Sequence, residues 1–347
     1  MSGLRDRLAD SARLATSGVR HLRPRQLPQL RVGRPVGPPT AYYLTPHLDS
    51  PSGGVRVLYR HVDTLNAMGI PAAVLHAREG FRCTWFDNDT RIVYPRDLVL
   101  SPQDVLVVPE YYGIGLHALP PDVRVVVFNQ NAYRTYDELP ATAGPGAPYA
   151  GLPSLVGLMT VSEDNRRFLE LAFPQLPVHL CRPVVDGAVF HPGPDGAREP
   201  VLGYVRAHRR REAQLLEHVM ASRRPSWTTV AASGLSERAI ADLMRRCSVF
   251  VSFSELEGFG LPPAEAMASG CYVVGYTGGG GDEFFDPQLC RPVTGTLELV
   301  EATLAATELP EAERRRLGRQ ASDAILGRYS DEGLREDLGT AFRTILG

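Results

Sequence analysis

Short continuous apolar runs alternate along the chain with segments whose apolar residues recur every three or four positions. The runs predict strands buried on both faces, and the periodic segments predict helices with one apolar stripe. Tyr42, Tyr43 and Leu44 make the first run, Val55, Leu58, Val62 and Leu65 the first stripe, and residues 72–75 the next run. Runs at 105–108, 123–128, 158–161 and 178–181 continue the alternation, with Ser162 placed to cap a helix carrying Phe168, Leu169 and Leu171. The pattern resumes at 201–205 and 227–232. Ser236 then opens a helix carrying Ile240, Leu243 and Met244, and strands are expected at 249–251 and 271–276. Helices over 311–326 and 331–345 close the chain. Such alternation predicts parallel sheets covered by helices, and 347 residues suffice for two domains of that kind. Two glycines and two prolines within 193–200 place a linker between them. The expected division is 1–40 as an extension, 41–190 and 191–327 as domains, and 328–347 as a closing helix.

The densest chemistry lies between the strands at 249–251 and 271–276. Gly258 and Gly260 let the backbone approach a ligand, and Pro262 and Pro263 suit the first turn of a helix, where missing N–H donors cost nothing. Gly270 stands where a left-handed cap would end that helix, so a short helix is expected over about 263–269. Its N-terminus, with unpaired N–H groups and a positive dipole end, predicts an anionic ligand. Glu257 and Glu265 flank this element eight positions apart. Beside a phosphate site, two carboxylates make sense as acceptors for sugar hydroxyls on either side of a diphosphate. Taken singly, each also reads as a solvated loop charge or a dipole-complementing side chain.

Composition narrows the field. A formal charge of −2 and a hydrophobic fraction of 44% describe an ordinary soluble globular protein and give no reason to expect a nucleic-acid partner. The chain contains no lysine, which excludes Schiff-base chemistry from a lysine and leaves arginine to supply cations to any phosphate. Five scattered cysteines without a CxxC pair predict neither a zinc site nor a disulfide framework, and no metal is expected. No apolar stretch is long enough to span a membrane, so a cytoplasmic location is expected. The first forty residues carry eight Arg against two Asp, a net charge of +6. A stripe of Leu4, Leu8, Ala12, Ala15, Val19 and Leu22 leaves two expectations, a solvated extension or peripheral contact of residues 1–25 with the inner face of an anionic membrane.

The run Glu257-Gly-Phe-Gly-Leu-Pro-Pro-Ala-Glu265 resembles the E-x7-E signature of the retaining glycosyltransferases of family 4, the group 1 transferases. The resemblance implies the α/β GT-B fold, two Rossmann-like domains facing across a cleft with the C-terminal helix crossing back to the first. It implies transfer of a glycosyl unit from a nucleotide diphosphate sugar to a hydroxyl of a glycan, glycolipid or natural product, with no cofactor. Glu257, Arg206 and Arg211 then carry the catalytic roles, with Glu265 on the ribose. Gly258, Phe259, Gly260 and Leu261 line the donor from the second domain, and Gly53 and Gly54 from the first. Arg211 stands where the family has lysine, and no histidine stands near Asn129, where many members place one. Ligands in parallel sheets bind beyond the carboxyl ends of strands, which adds Glu110, Asn129, Asn131 and Glu163 as acceptor or cleft candidates. Two other readings stay open: a non-catalytic partner subunit that binds a nucleotide-sugar, and a nucleotide-sugar epimerase.

Overall fold

The computed structural model describes residues 27–34, 37–137, 139–140, 142–194, 198–206 and 208–346. The basic stripe expected within residues 1–25 lies outside them. A two-residue strand β1 (Arg31–Val32) pairs in parallel with β5 (Val99–Leu100) beside the first domain. The first domain is a seven-stranded parallel sheet of β2 (Ala41–Leu44), β3 (Ala72–Leu75), β4 (Ile92–Val93), β6 (Val105–Pro109), β7 (Arg124–Asn129), β8 (Leu155–Thr160) and β9 (Val178–Leu180). Its order is β4-β3-β2-β6-β7-β8-β9. The second domain is a five-stranded parallel sheet of β10 (Glu199–Val205), β11 (Thr228–Ala232), β12 (Cys247–Phe253), β13 (Tyr272–Tyr276) and β14 (Arg291–Pro292), in the order β11-β10-β12-β13-β14. In both sheets strand order reverses beside the first strand, which leaves a crevice at the carboxyl ends there.

The expected runs are the central strands. Val105, Leu106, Val107 and Val108 are wholly buried, as are Val126, Val127 and Phe128. Helix α1 (Gly53–Ala67) is capped by Ser52 and lays Val55, Leu58, Val62 and Leu65 on the first sheet. Ser162 caps α2 (Glu163–Ala172), accepting from the Asn165 N–H. In the second domain α3 (Arg210–Arg223) follows β10, and Ser236 caps α4 (Glu237–Arg246). The short α5 (Leu261–Ala268) is followed by α6 (Thr296–Glu308), α7 (Glu311–Arg328) and α8 (Asp331–Leu346).

Two differences from the sequence expectations have plain causes. Helix α6 buries the small or polar Thr303 and Ala306 beside Leu299, so it presents no apolar stripe to read. Within the expected extension, Leu27 and Leu30 pack on the first domain's core and Arg31 and Val32 join a ladder, so the fold begins before residue 40. Among the described residues no helix is long and apolar enough to cross a membrane.

The last helix returns to the first domain. Arg182 donates from its backbone N–H and Nε to Asp337 Oδ2, at 3.0 and 2.8 Å, and from its outer guanidinium nitrogen to Oδ1 at 2.6 Å. Leu338, Phe342 and Ile345 are buried, and Arg124 reaches the final carbonyls of the helix, Ile345 O at 3.1 Å among them. Asp337 is only 12% exposed and its bidentate partner has few alternatives. Replacing Asp337 with Ala is expected to lower stability by about 3 kcal/mol, measured by urea denaturation, because it strands a half-buried guanidinium and a backbone N–H.

Candidate active site

The loop after β12 is held in place from both sides. Glu257 N–H donates to Gly278 O at 2.7 Å, and Gly280 N–H donates to Glu257 O at 3.1 Å, so two glycine-bearing loops of the second domain are stitched together. From the first domain, Ser162 Oγ donates to Gly258 O at 2.6 Å and Asn131 Nδ2 donates to Leu256 O at 2.9 Å. A Cβ at Gly258 would lie 1.8 Å from Gln130 O, so a side chain there is incompatible with this approach of the two domains. Gly53 meets the side chain of Leu261, and Gly54 packs on Gln130, whose Nε2 donates to Gly54 O at 3.2 Å. Phe259 turns inward onto Phe284 and Tyr329, leaving only its backbone toward the cleft side of the loop.

Helix α5 begins two residues earlier than expected. Gly260, at φ +93°, is its N-cap, and Leu261 its first residue. Pro262 and Pro263 therefore occupy the second and third positions, and the Ala264 N–H is already taken by Gly260 O. Of the first-turn donors, Leu261 N–H is left for an anion. Glu265 consequently lies in the second turn, not the first.

Glu265 is 6% exposed and accepts a hydrogen bond from Arg56 of α1, across the cleft. The same guanidinium reaches Glu237, in the first turn of α4. Burial raises the Glu265 pKa, opposed by the Arg56 charge, and Glu237 raises it further. Glu257 is also pushed upward by burial, and His208 and Arg134 oppose the shift. His208 Nε2 stands 3.0 Å from Glu257 Oε1.

The expected cations stand differently. Arg206 is exposed at the carboxyl end of β10, and Arg211 is exposed on the first turn of α3. Neither lines the cavities that Glu257 and Glu265 border. Arg209, between them, is held at φ +47° with its guanidinium 3.9 Å from the Tyr276 ring centroid and paired with Glu212 at 2.9 Å. Asn129 is wholly buried, donating to Thr135 and Tyr149 hydroxyls at 2.7 and 3.0 Å, so it braces the first domain and does not face the cleft. Glu163 pairs with Arg166 along its own helix at 2.7 Å, while its backbone N–H donates to Glu283 at 2.9 Å. Glu110 lines a cavity at the end of β6 and accepts from Gln130 N–H at 3.1 Å. Burial pushes its pKa up to about 7.

Between the domains lies a cavity of about 360 Å³. Glu265, Arg56 and Glu237 form its charged side, Trp85 and Ser52 border it from the first domain, and residues 232–235 border it from the second. Trp85 is fixed by its indole N–H, which donates to Leu48 O at 3.2 Å. A smaller cavity, lined by His208, Ser254, Pro262 and Glu257, adjoins the same loop.

Residues 213–321 match the family model described as glycosyl transferases group 1. The matched stretch lies within the second domain. An α-1,6-glucosyltransferase of Actinobacillus pleuropneumoniae serotype 7 (strain AP76) is 27% identical over 237 residues, spanning 65% of this chain and 69% of that one. Among solved structures, sucrose-phosphate synthase from Thermosynechococcus elongatus superposes with a TM-score of 0.65 at 14% identity, over 89% of this chain and 99% of that one. The pneumococcal O-GlcNAc transferase GtfA, solved in complex with UDP and GlcNAc, does so at 0.63 and 9% identity, over 89% and 99%. The fold is GT-B, two Rossmann-like domains facing across a cleft. Helix α5 and both glutamates fall inside the matched stretch, whereas β10, Arg206 and Arg211 precede it.

Four residues at the site escaped the sequence reading: Arg56, Glu237, His208 and Trp85. Arg56 sits between two apolar positions of α1 and reads as a solvent-facing residue, and His208 is hidden in a run of arginines. Among the described residues no group of three or more His, Cys, Asp or Glu side chains is arranged to hold a metal ion.

Two outcomes follow from these charges. Arg56→Met leaves Glu265 and Glu237 facing each other, so at pH 7 it is expected to lower stability in urea by about 3 kcal/mol. That loss should shrink toward pH 4, where protonation of Glu265, whose pKa burial raises, removes the repulsion. For Glu110, a folded pKa of about 7 against an ordinary 4.5 means that stability is present at low pH and is lost as pH rises through 7. Glu110→Gln, which cannot ionise, is expected to gain on wild type by on the order of 3 kcal/mol between pH 4.5 and 8, read as a growing difference in Tm.

Proposed function

We propose that the chain transfers a hexosyl unit from a nucleoside diphosphate sugar to a hydroxyl group, with retention of the anomeric configuration. The observation that carries this reading is the placement of Glu265 in the wall of the interdomain cavity and Glu257 four residues before Leu261, on the loop that leads into the same helix. The base is assigned to the space between Trp85 and residues 232–235. The ribose hydroxyls donate to Glu265 in place of Arg56, and the diphosphate takes Leu261 N–H at the positive end of α5.

Glu257 accepts from hydroxyls of the transferred sugar and offsets the positive charge that develops at its anomeric carbon. The bond from that carbon to the diphosphate oxygen breaks while the acceptor oxygen bonds on the same face, and the acceptor proton passes to the departing phosphate. Arg206 and Arg211, exposed at the carboxyl end of β10 and the start of α3, are assigned to the departing charge once the donor is bound. Arg56, released from Glu265, adds a third cation. The α-1,6-glucosyltransferase relative supports glucose as the first sugar to test.

Thermal-shift titration with UDP, GDP, dTDP and ADP tests the donor site. One nucleotide is expected to stabilise wild type by roughly 2.7 kcal/mol at a hundred times its dissociation constant, and Glu265→Ala to lose most of that shift. Silence from all four at millimolar concentration removes the donor site and the proposed activity together. Incubation with the matching nucleotide-glucose and no acceptor then separates the chemistries: slow hydrolysis fits a transferase, a new nucleotide-hexose an epimerase, and intact donor a binding subunit.

A further inference from the structure

The cavity at the end of β6, already met at Glu110, belongs wholly to the first domain. It measures about 160 Å³ and is walled by Glu110, Tyr111, Ile114, Arg134, Asp137 and Leu139. It shares none of these residues with the interdomain cavity assigned to the nucleotide. Two observations place it beside the reaction loop. Arg134 is tied to Asn131, its N–H donating to Asn131 O at 3.0 Å. Asn131, three residues before Arg134, bonds to the carbonyl of Leu256, the residue preceding Glu257.

The lining has a definite chemistry. Arg134 Nε donates to Asp137 Oδ2 at 3.0 Å, which puts a paired donor and acceptor on one wall. Glu110 forms part of the floor. Part of the lining is apolar: the segment from Glu110 to Ala118 turns sharply at Gly113, φ +49°, and contributes Tyr111 and Ile114, 37% and 38% exposed. Tyr136, 42% exposed, follows Arg134 by two residues. A pyranose ring has hydroxyls around its edge and C–H groups on its faces, so it meets both kinds of wall at once. An anionic group finds poor company, because the one guanidinium in the lining is already paired with Asp137 and shares the cavity with Glu110. An acyl chain would seal Asp137 and Glu110 from water and add no partner to Arg134 and the Gln130 N–H.

We propose that this cavity is the acceptor subsite and that it takes one uncharged sugar ring, so that the acceptor is a neutral glycoside. Its place in the reaction rests on the glycosyltransferase reading; the binding of a sugar ring does not.

Saturation-transfer NMR on the full chain tests it, with the methyl α- and β-glycosides of glucose, galactose and mannose as probes and glucose 6-phosphate as the anionic control. Wild type is expected to transfer saturation to at least one neutral glycoside and not to glucose 6-phosphate. Tyr111→Ala and Arg134→Ala should each weaken that binding about fivefold or more while keeping the nucleotide thermal shift. Ile114→Asp, a change at an exposed side chain, serves as the third variant should either of those fail to fold, and is expected to weaken binding likewise. No signal from any neutral glycoside at tens of millimolar overturns the proposal, as does a signal unmoved by the variants or a stronger one from glucose 6-phosphate. If nucleotides shift nothing but a glycoside binds through Tyr111 and Arg134, the transferase reading falls and the sugar site stands.

Discussion

Arg56, held between Glu265 and Glu237, is the contact on which the arrangement of the two domains turns. Three charged groups are withdrawn from water there, and an incomplete set would be far worse than none, because a buried carboxylate without its partner bears its full desolvation penalty. The pair across the cleft therefore favours closure and makes it conditional on charge. On the proposed reading, the ribose relieves Glu265 with neutral hydroxyl donors, and Arg56 exchanges a carboxylate for a phosphate. The number of opposite charges that face one another is kept through the exchange.

Around this contact the two domains meet through backbone on at least one side. Gly258 lies against the carbonyl of Gln130, Gly279 against the ring of Tyr133, and Leu256 and Gly258 offer carbonyls to Asn131 and Ser162. Glu283 closes the series, with its carboxylate on the Glu163 N–H at the start of α2 and on the Tyr329 hydroxyl at 2.8 Å. A carboxylate at a helix N-terminus is favourably placed by the helix dipole. Side chains would keep these loops apart, and glycine lets main chain meet main chain.

What could be read from the chain was what is local. The strands are local, since each is an apolar run long enough to be wholly buried, and so are the Ser162 and Ser236 caps. The glutamate pair is local too, because both members belong to one loop and one helix. The errors came where a partner lay far away in sequence. Asn129 was expected at the cleft because it ends a strand, but Tyr149, twenty residues on, folds over it. Arg56 looked solvated because its two partners are 181 and 209 residues distant. The start of α5 was misjudged for a different reason: proline is tolerated at the second and third positions as well as the first, so Pro262 and Pro263 did not fix the register.

The chain passes between the domains twice, by way of residues 183–194 and again at Tyr329 and Ser330, and the crossings are bonded to each other through Val185 N–H and Tyr329 O at 2.9 Å. Two tethers side by side define a line. Rotation about that line leaves both at constant length, whereas sliding or twisting stretches one of them, so the cleft is built to swing like a door on its post. Arg60, one turn along α1 from Arg56, is bonded to Asp186 at 2.5 Å, which puts the ion pair close to the post. A latch so near the pivot has poor leverage: a few ångströms of separation there correspond to a far wider gap at any point farther out. The cleft must therefore open broadly before Arg56 lets go.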